Sequence, residues 1–165
     1  MTDLPAAAAE FLSHRRIAVA GVSRDEPNAA NLIYRRLKAD GYDVFAVNPA
    51  ADEVEGDRCF RSLSAIDGGV DGVVIGTPPD AVLQVVEECA TLGVRRVWLH
   101  KGIGQGSLSD AAVHYCEEHD VAVIAGACPM MFVRPTDFGH KCICWVLGRF
   151  GKLPDAHEYQ LARTD

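Results

Sequence analysis

The sequence predicts an α/β fold in which a parallel sheet of about five strands lies between two layers of helices. Short, apolar segments rich in Val and Ile recur along the chain, and their starts lie 26, 29, 24 and 25 residues apart. Each segment is continuously apolar, which is typical of strands covered on both faces. Right-handed crossovers through helices would join them into one three-layer domain. The segments are IAVAGV from Ile17, DVFAV from Asp43, GVVIG from Gly72, RVWLH from Arg96 and VAVIAG from Val121.

The residues before the first strand predict a short capping helix over 1–15. In MTDLPAAAAEFLSHRR, Asp3 precedes the apolar part and the arginines follow it. That charge order is the reverse of a secretory signal. We therefore expect a cytoplasmic protein with reduced cysteine thiols.

Most of the intervals between the predicted strands indicate helices. In NAANLIYRRLKADGY, apolar residues recur at helical spacing before Gly41, a typical stop. DAVLQVVEECATLG begins with Asp80 as a plausible cap, and SLSDAAVHYCEEHD begins with Ser107 or Ser109 in that position. The interval 48–71 predicts a loop with one helical turn at most.

Length and charge restrict the possible functions. The 165 residues fit a single domain over 1–165, with a core over 16–128 and a helical extension over 129–165. The formal charge of −7 disfavours nucleic-acid binding, because counterion release requires a basic surface. No apolar run reaches the roughly 20 residues of a membrane span. A phosphate-bearing small molecule stays possible, since backbone amides at a helix N-terminus bind phosphate.

The loops after the predicted strands carry the candidate site, because ligands of such sheets lie beyond the carboxyl ends of the strands. In GVSRDEPN, Gly21 permits a sharp turn, and the Ser23 hydroxyl lies beside the amides of the coming helix. The dinucleotide fingerprint G-x-G-x-x-G would place glycines where Ser23 and Glu26 stand. Asn48 and Pro49 follow the second strand, where an NAD site has a carboxylate. Ordinary NAD binding is therefore disfavoured.

The next two loops differ in character. In GTPPD, Pro79 would stand at the first position of a helix, where proline is common for structural reasons. The double proline also forms a stiff apolar wall, which would suit an uncharged arm of a ligand. In HKGIGQG, the glycines permit close approach of the backbone to a ligand, and Lys101 supplies a cation.

The motifs GVS, VNP, TPP and KGIG, each after its own strand, resemble those of the small CoA-binding domain proteins. They are also similar to the CoA-binding domain of the succinyl-CoA synthetase alpha subunit, and the resemblance runs from about Arg16 to Cys128. It implies a single Rossmann-like domain that binds coenzyme A or acyl-CoA across the strand ends. In the synthetase the catalytic histidine lies on a further domain that has no counterpart in this sequence, so we expect a binding protein without catalysis of its own.

The resemblance also implies which residues bind the ligand. The first loop would face the phosphates, the second the adenosine end, the third the pantetheine arm, and the fourth would close the far side. Arg24 is added as the nearest cation for a phosphate. The candidate residues are Gly21, Val22, Ser23, Arg24, Asn48, Pro49, Thr77, Pro78, Lys101, Gly102 and Ile103.

Cys128 supports an alternative function. It follows the fifth predicted strand, and a nearby helix N-terminus would lower its pKa and favour a mixed disulfide with the CoA thiol. The other interpretation is a half-buried structural cysteine before Pro129. A small NAD(P)-dependent enzyme, or a CoA-thiol redox enzyme using Cys128, is therefore the alternative to a binding protein.

The segment GHKCICWVLGRFGKLP predicts a terminal helix whose apolar side covers the sheet. A zinc site through His140, Cys142 and Cys144 is disfavoured, because zinc sites in proteins have about four ligands. If the apolar side is exposed instead, it would dock a protein partner, and the chain would be a regulatory or interaction protein.

Overall fold

The computed structural model describes residues 3–101 and 106–133. It contains one seven-stranded sheet in the order β3-β4-β2-β1-β5-β6-β7, in which only β3 runs antiparallel to its neighbour. The elements in chain order are α1 (Leu4–Leu12), β1 (Arg16–Ala20), α2 (Ala29–Ala39), β2 (Asp43–Val47), β3 (Glu53–Val54), β4 (Asp57–Phe60), β5 (Gly72–Ile75), α3 (Pro79–Thr91), β6 (Arg96–His100), α4 (Asp110–Glu118) and β7 (Ala122–Ala127). The predicted α/β class is confirmed.

The interval 48–71 differs from its prediction. It contains the two additional strands, β3 and β4, which form a hairpin, with β4 pairing parallel to β2. Glu55 and Gly56 form the turn with φ values of 53° and 78°. Positive φ at both central residues is typical of the type I′ turn, whose twist matches that of a hairpin. The predicted helical turn is present as the 3-10 turn Leu63–Ala65. The rest of the prediction was wrong, because the strands are short and their turn begins with Glu, which is unusual at positive φ.

Helices cover both faces of the sheet and bury its apolar side chains. On one face, α1 and α2 pack Phe11 and Ile33 against a cluster that includes Trp98. The Phe11 ring meets the Trp98 ring edge-on, with centroids 5.3 Å apart. On the other face, α3 and α4 pack Val86 and Cys116 against the sheet. The three layers follow from the continuously apolar strands.

The helix caps agree with the sequence in part. The Asp3 carboxylate accepts a hydrogen bond from the Ala6 amide at 3.0 Å and begins α1. Ser109 caps α4 by accepting from the Ala112 amide at 3.3 Å, which decides between the two predicted serines. Asp80 is not the cap of α3. Pro78 holds that position, and Asp80 lies in the first turn, where the helix dipole favours a carboxylate.

The chain after β7 is described only as far as residue 133. Pro129–Met131 form one 3-10 turn. The rest of the predicted extension, with His140, Cys142 and Cys144, lies outside the described residues. None of the described helices combines the length and apolarity needed to cross a membrane.

Candidate functional site

The loops after β1 and β5 meet at the middle of the sheet edge. The two strands are neighbours, and the helices that follow them, α2 and α3, cover opposite faces. Gly21 has φ +96°, and a Cβ there would lie 2.8 Å from the carbonyl carbon and oxygen of Gly76 and 2.9 Å from the Thr77 nitrogen. The crevice of an open parallel sheet forms at such a switch point.

The first loop is held by a buried side chain that the sequence analysis did not identify. Asn31, 1% exposed, accepts from the Ser23 amide at 2.9 Å and donates to the Ser23 carbonyl at 2.8 Å. Ser23 does not cap α2, because Asn28 holds that position. The Ser23 hydroxyl instead accepts from the amides of Asp25 and Glu26 at 3.2 and 3.3 Å. Asn31 at the third helical position, after Asn28, was the available signal.

The second loop is tied to the first. The Asn48 amide donates to the Val22 carbonyl at 2.8 Å, and its oxygen accepts from the Ala50 amide at 2.9 Å. Val22 is fully buried, backbone included, so of the first-loop residues predicted to face the phosphates it is the least accessible. Arg24 donates to the Ala50 carbonyl at 3.0 Å, and Pro49 is exposed. The structure therefore brings together the residues predicted to face the phosphates and the adenosine.

Arg61 is a second cation at this loop that the sequence analysis missed. It donates to the Pro49 carbonyl at 3.4 Å and pairs with both oxygens of Asp52 at 2.9 and 3.1 Å. The hydrogen bond from Arg61 lowers the pKa of the Asp52 carboxyl. Arg24 and Arg61 thus flank one stretch of backbone although 37 positions separate them in the sequence.

The hydroxyl of Thr77, in the third loop, is enclosed by the fold. Its Oγ1 is buried and finds no hydrogen-bond partner among the described residues. Its carbonyl accepts from the Ser107 hydroxyl at 2.5 Å. Pro78 is exposed at the start of α3.

The fourth loop begins with Lys101, which is half-buried. Its backbone amide donates a hydrogen bond to the Ala127 carbonyl at 3.4 Å. Gly102 and Ile103 lie outside the described residues.

Cys128 lies at the same edge, after β7, and is half-buried. Its carbonyl accepts from the Met131 amide at 3.0 Å within the 3-10 turn. Through residue 133, where the description stops, no α-helix begins at Cys128, so the helix N-terminus expected beside it is not observed there. The reactive thiol therefore stays a prediction.

His100 was not assigned to the site by the sequence analysis. It ends β6, is 6% exposed, and its Nδ1 is buried without a hydrogen-bond partner in the described part of the chain. Burial lowers the pKa of its imidazole, so the ring is neutral at pH 7. Its place at a strand end was the only signal in the sequence.

A separate groove of about 510 Å³ lies away from this edge. Its lining includes Pro5, Leu12, Tyr42 and Phe132, so it runs along α1 between the chain that enters β2 and the residues after the 3-10 turn. None of the described residues predicted to bind the ligand is among its lining, so we do not assign the groove to the candidate site.

The meeting of these loops at the switch point defines the class: an open α/β sheet of the kind that binds ligands at the carboxyl ends of its parallel strands. Residues 15–134 match the family model of the CoA binding domain. The chain belongs to this family, which confirms the resemblance predicted from the loop motifs.

Known relatives include proteins of very different length. The chain is 31% identical over 130 residues to the alpha subunit of acetate–CoA ligase [ADP-forming] II from Pyrococcus furiosus, which covers 78% of this chain and 28% of that subunit. It is 27% identical over 114 residues to the uncharacterized protein YneT of Bacillus subtilis, covering 69% and 82% of the two chains. The chain thus spans less than a third of the ligase subunit and most of YneT.

Solved structures share the fold. A hypothetical protein from Pyrococcus horikoshii OT3 superposes with a TM-score of 0.70 at 27% identity, covering 79% of this chain and 88% of that one. The arrangement of strands and helices is therefore one that experiment has observed in a protein of similar size.

Proposed function

We propose that this protein binds coenzyme A or an acyl-CoA along the edge formed by the ends of β2, β1, β5 and β6, without chemistry of its own. The observation that carries the proposal is the order of the loops. The four motifs that resemble CoA-binding proteins follow four strands that are consecutive in the sheet. Membership of the CoA-binding domain family supports the same ligand.

This order provides a path for an extended ligand. The adenosine end would lie at Asn48 and Pro49, the diphosphate at Gly21 to Ser23, and the pantetheine arm at Thr77 and Pro78. Neighbouring strands lie about 4.8 Å apart, so the path from β2 to β6 is roughly 14 Å long. Lys101, Gly102 and Ile103 would close its far end.

The charges at the edge suit a phosphorylated ligand. Arg24 and Arg61 flank the second loop, at the end of the path assigned to adenosine. Each pairs with an aspartate, at 3.4 Å for Arg24 and Asp25 and at 2.9 Å for Arg61 and Asp52. Both guanidinium groups are exposed, so exchanging an aspartate for a phosphate requires little rearrangement of the fold. We propose that they bind the phosphate groups of the ligand at this end.

The Thr77 hydroxyl fits the proposed ligand as well. A buried hydroxyl without a partner costs roughly 1–3 kcal/mol. Within the described chain, Thr77 Oγ1 is such a group, and it lies at the loop assigned to the pantetheine arm. A hydrogen bond to the ligand would recover this free energy.

The alternative is a CoA-thiol redox enzyme. Cys128 follows β7, which is next to β6, so its thiol belongs to the same edge of the sheet. Its thiolate would attack the disulfide of oxidised CoA, form a Cys128–CoA disulfide and release the other CoA as a thiolate. Intact mass after incubation with oxidised CoA tests this, and the absence of an adduct on Cys128 excludes it.

A ligand panel tests the main proposal. Thermal unfolding should be followed with CoA, acetyl-CoA, NAD, NADP and ATP at equal concentrations. A ligand at a hundred times its Kd stabilises the fold by about 2.7 kcal/mol, which is readily measured. We expect a shift with CoA or acetyl-CoA. A shift with NAD or NADP alone would show that the assignment is wrong.

A further inference from the structure

The turn of the β3–β4 hairpin contains a residue that its backbone conformation disfavours. Glu55 has φ 53° and stands at the first central position of the turn, where Asn, Asp or Gly is usual. A non-glycine residue persists in this region only where the surrounding structure compensates for its strain, and such residues cluster at functional sites. The side chain of Glu55 should therefore form contacts that the usual turn residues could not.

The Glu55 carboxylate forms hydrogen bonds to α2. Its side chain is only 16% exposed although it lies on a turn. One oxygen, Oε1, accepts from Asn31 Nδ2 at 2.6 Å, and the other, Oε2, accepts from Arg35 at 3.3 Å. Hydrogen bonds to a carboxylate are stronger than those between neutral groups. The shorter of these two bonds leads to Asn31, the buried residue that holds the first loop of the candidate site.

The Asn31 side chain connects Glu55 to that loop. Its Nδ2 also donates to the Ser23 carbonyl at 2.8 Å, and its Oδ1 accepts from the amides of Ser23 and Asn28 at 2.9 and 3.2 Å. An asparagine amide has two donor hydrogens and two acceptor lone pairs, so all four are used. Turned by 180°, the amide would present its oxygen to the Glu55 carboxylate and its hydrogens to the two backbone amides. Glu55 thus selects one orientation of Asn31.

We propose that Glu55 is a positioning residue for the ligand site, and that it acts through the Asn31 amide to fix the conformation of the first loop. The role rests on the proposed function, because that loop is the one assigned to the phosphate groups of CoA. Glu55 need not touch the ligand. A loop that is ordered before binding saves the ligand the cost of ordering it. The strained turn residue is then explained by its side chain.

Three substitutions separate positioning from stability. Glu55→Gln keeps an acceptor oxygen for Asn31, Glu55→Ala removes it, and Glu55→Gly removes it while also relieving the strain of the turn. We expect the affinity for CoA to follow the acceptor. Glu55→Gln should bind nearly as the wild type does, and the other two variants about tenfold more weakly. A residue that only stabilised the hairpin would let Glu55→Gly bind better than Glu55→Ala, since glycine forms the more stable turn.

Asp120→Gly is the matched control for the strain. Asp120 also has positive φ, at 54°, but it precedes β7 and so lies at the opposite edge of the sheet. Its replacement relieves the same kind of backbone strain far from the first loop. The affinity for CoA should be that of the wild type, and a loss as large as that of Glu55→Gly would show that the effect is not specific to the hairpin.

Hydrogen exchange in the free protein tests the positioning without a ligand. The Ser23 amide should exchange about tenfold faster in Glu55→Ala and Glu55→Gly than in the wild type and Glu55→Gln, because its acceptor on Asn31 is no longer held. The Ser107 amide, which donates to the His100 carbonyl at 2.8 Å, should exchange equally in all four proteins.

The outcomes distinguish this inference from the proposed function. If the wild type binds CoA while the affinities of the variants follow their stabilities, or while Ser23 exchanges equally in all of them, this inference is wrong and the proposed function stands. A wild type that binds no CoA overturns the proposed function and, with it, the role of Glu55 in binding.

Discussion

Replacing Gly21 with Ala should damage both the fold and the proposed ligand site. The new alanine would have to adopt φ +96°, and its Cβ would lie 2.8 Å from the carbonyl carbon and oxygen of Gly76. An L-residue in the left-handed region costs roughly 1–2 kcal/mol. Overpacking typically adds another 1–3 kcal/mol, here because backbone rather than a flexible side chain must move. We therefore expect a loss of about 2–5 kcal/mol in the free energy of unfolding, and a weaker affinity for CoA.

Gly93→Ala is the matched control. Gly93 also has positive φ, at +73°, but no described atom lies within 4 Å of an added Cβ, and it precedes β6 at the opposite edge. It should lose only the roughly 1–2 kcal/mol of backbone strain and bind CoA normally. Urea unfolding and calorimetric titration with CoA measure the two effects separately. A Gly21→Ala protein with the affinity of Gly93→Ala would refute the placement of the ligand at the switch point.

Other predictions concern buried and paired groups. Asn31→Ala should lower the free energy of unfolding by about 2–4 kcal/mol, since it leaves buried loop groups unpaired, and urea unfolding checks this. The hydrogen bond from Lys38 lowers the pKa of Asp57 below 3.8. The stability that this carboxylate contributes is therefore present above pH 3.8 and is lost as the pH falls through the pKa of the folded state. Asp57→Asn should reduce the loss of stability at acid pH, measured as the melting temperature against pH. Burial raises the pKa of the Cys89 thiol, and it raises the pKa of the Cys116 thiol to about 12. Iodoacetamide at pH 8 should therefore modify neither thiol in the native protein and both thiols in urea, which mass spectrometry measures.

The parallel core was predictable because its central strands β1, β5 and β6 are buried on both faces. A strand such as Gly72–Ile75, with all four residues buried, must be apolar throughout, and the regular spacing of such runs indicates helical crossovers. The hairpin of β3 and β4 carried no such signal. Its strands contain Glu53, Asp57 and Arg58, and its stability depends on pairing with β2, a contact that no local pattern reveals.

The candidate site was predictable as a set of loops but not as a set of contacts. The topology brings together the ends of strands that are distant in sequence, so the positions of Gly21 and Thr77 could be inferred. The partner of each polar side chain could not. Asn31 and Arg61 reach their loops from a helix and from the end of a short strand, and only the tertiary structure shows those distances.

The polar residues at the edge differ in whether the fold already uses them. The Ser23 hydroxyl accepts hydrogen bonds within the first loop, and the Asn48 amide donates to Val22 and so ties the second loop to the first. A ligand gains little from the Asn48 amide, which must first break its bond to Val22, whereas Ser23 only accepts in its bonds and can donate its O–H without breaking them. Thr77 Oγ1 has no such bond within the described residues, so a ligand that pairs with it would gain roughly 1–3 kcal/mol. Discrimination among ligands that share the adenosine and phosphate groups should therefore come mainly from the arm that reaches β5, while the first two loops and their arginines would bind the part that such ligands have in common.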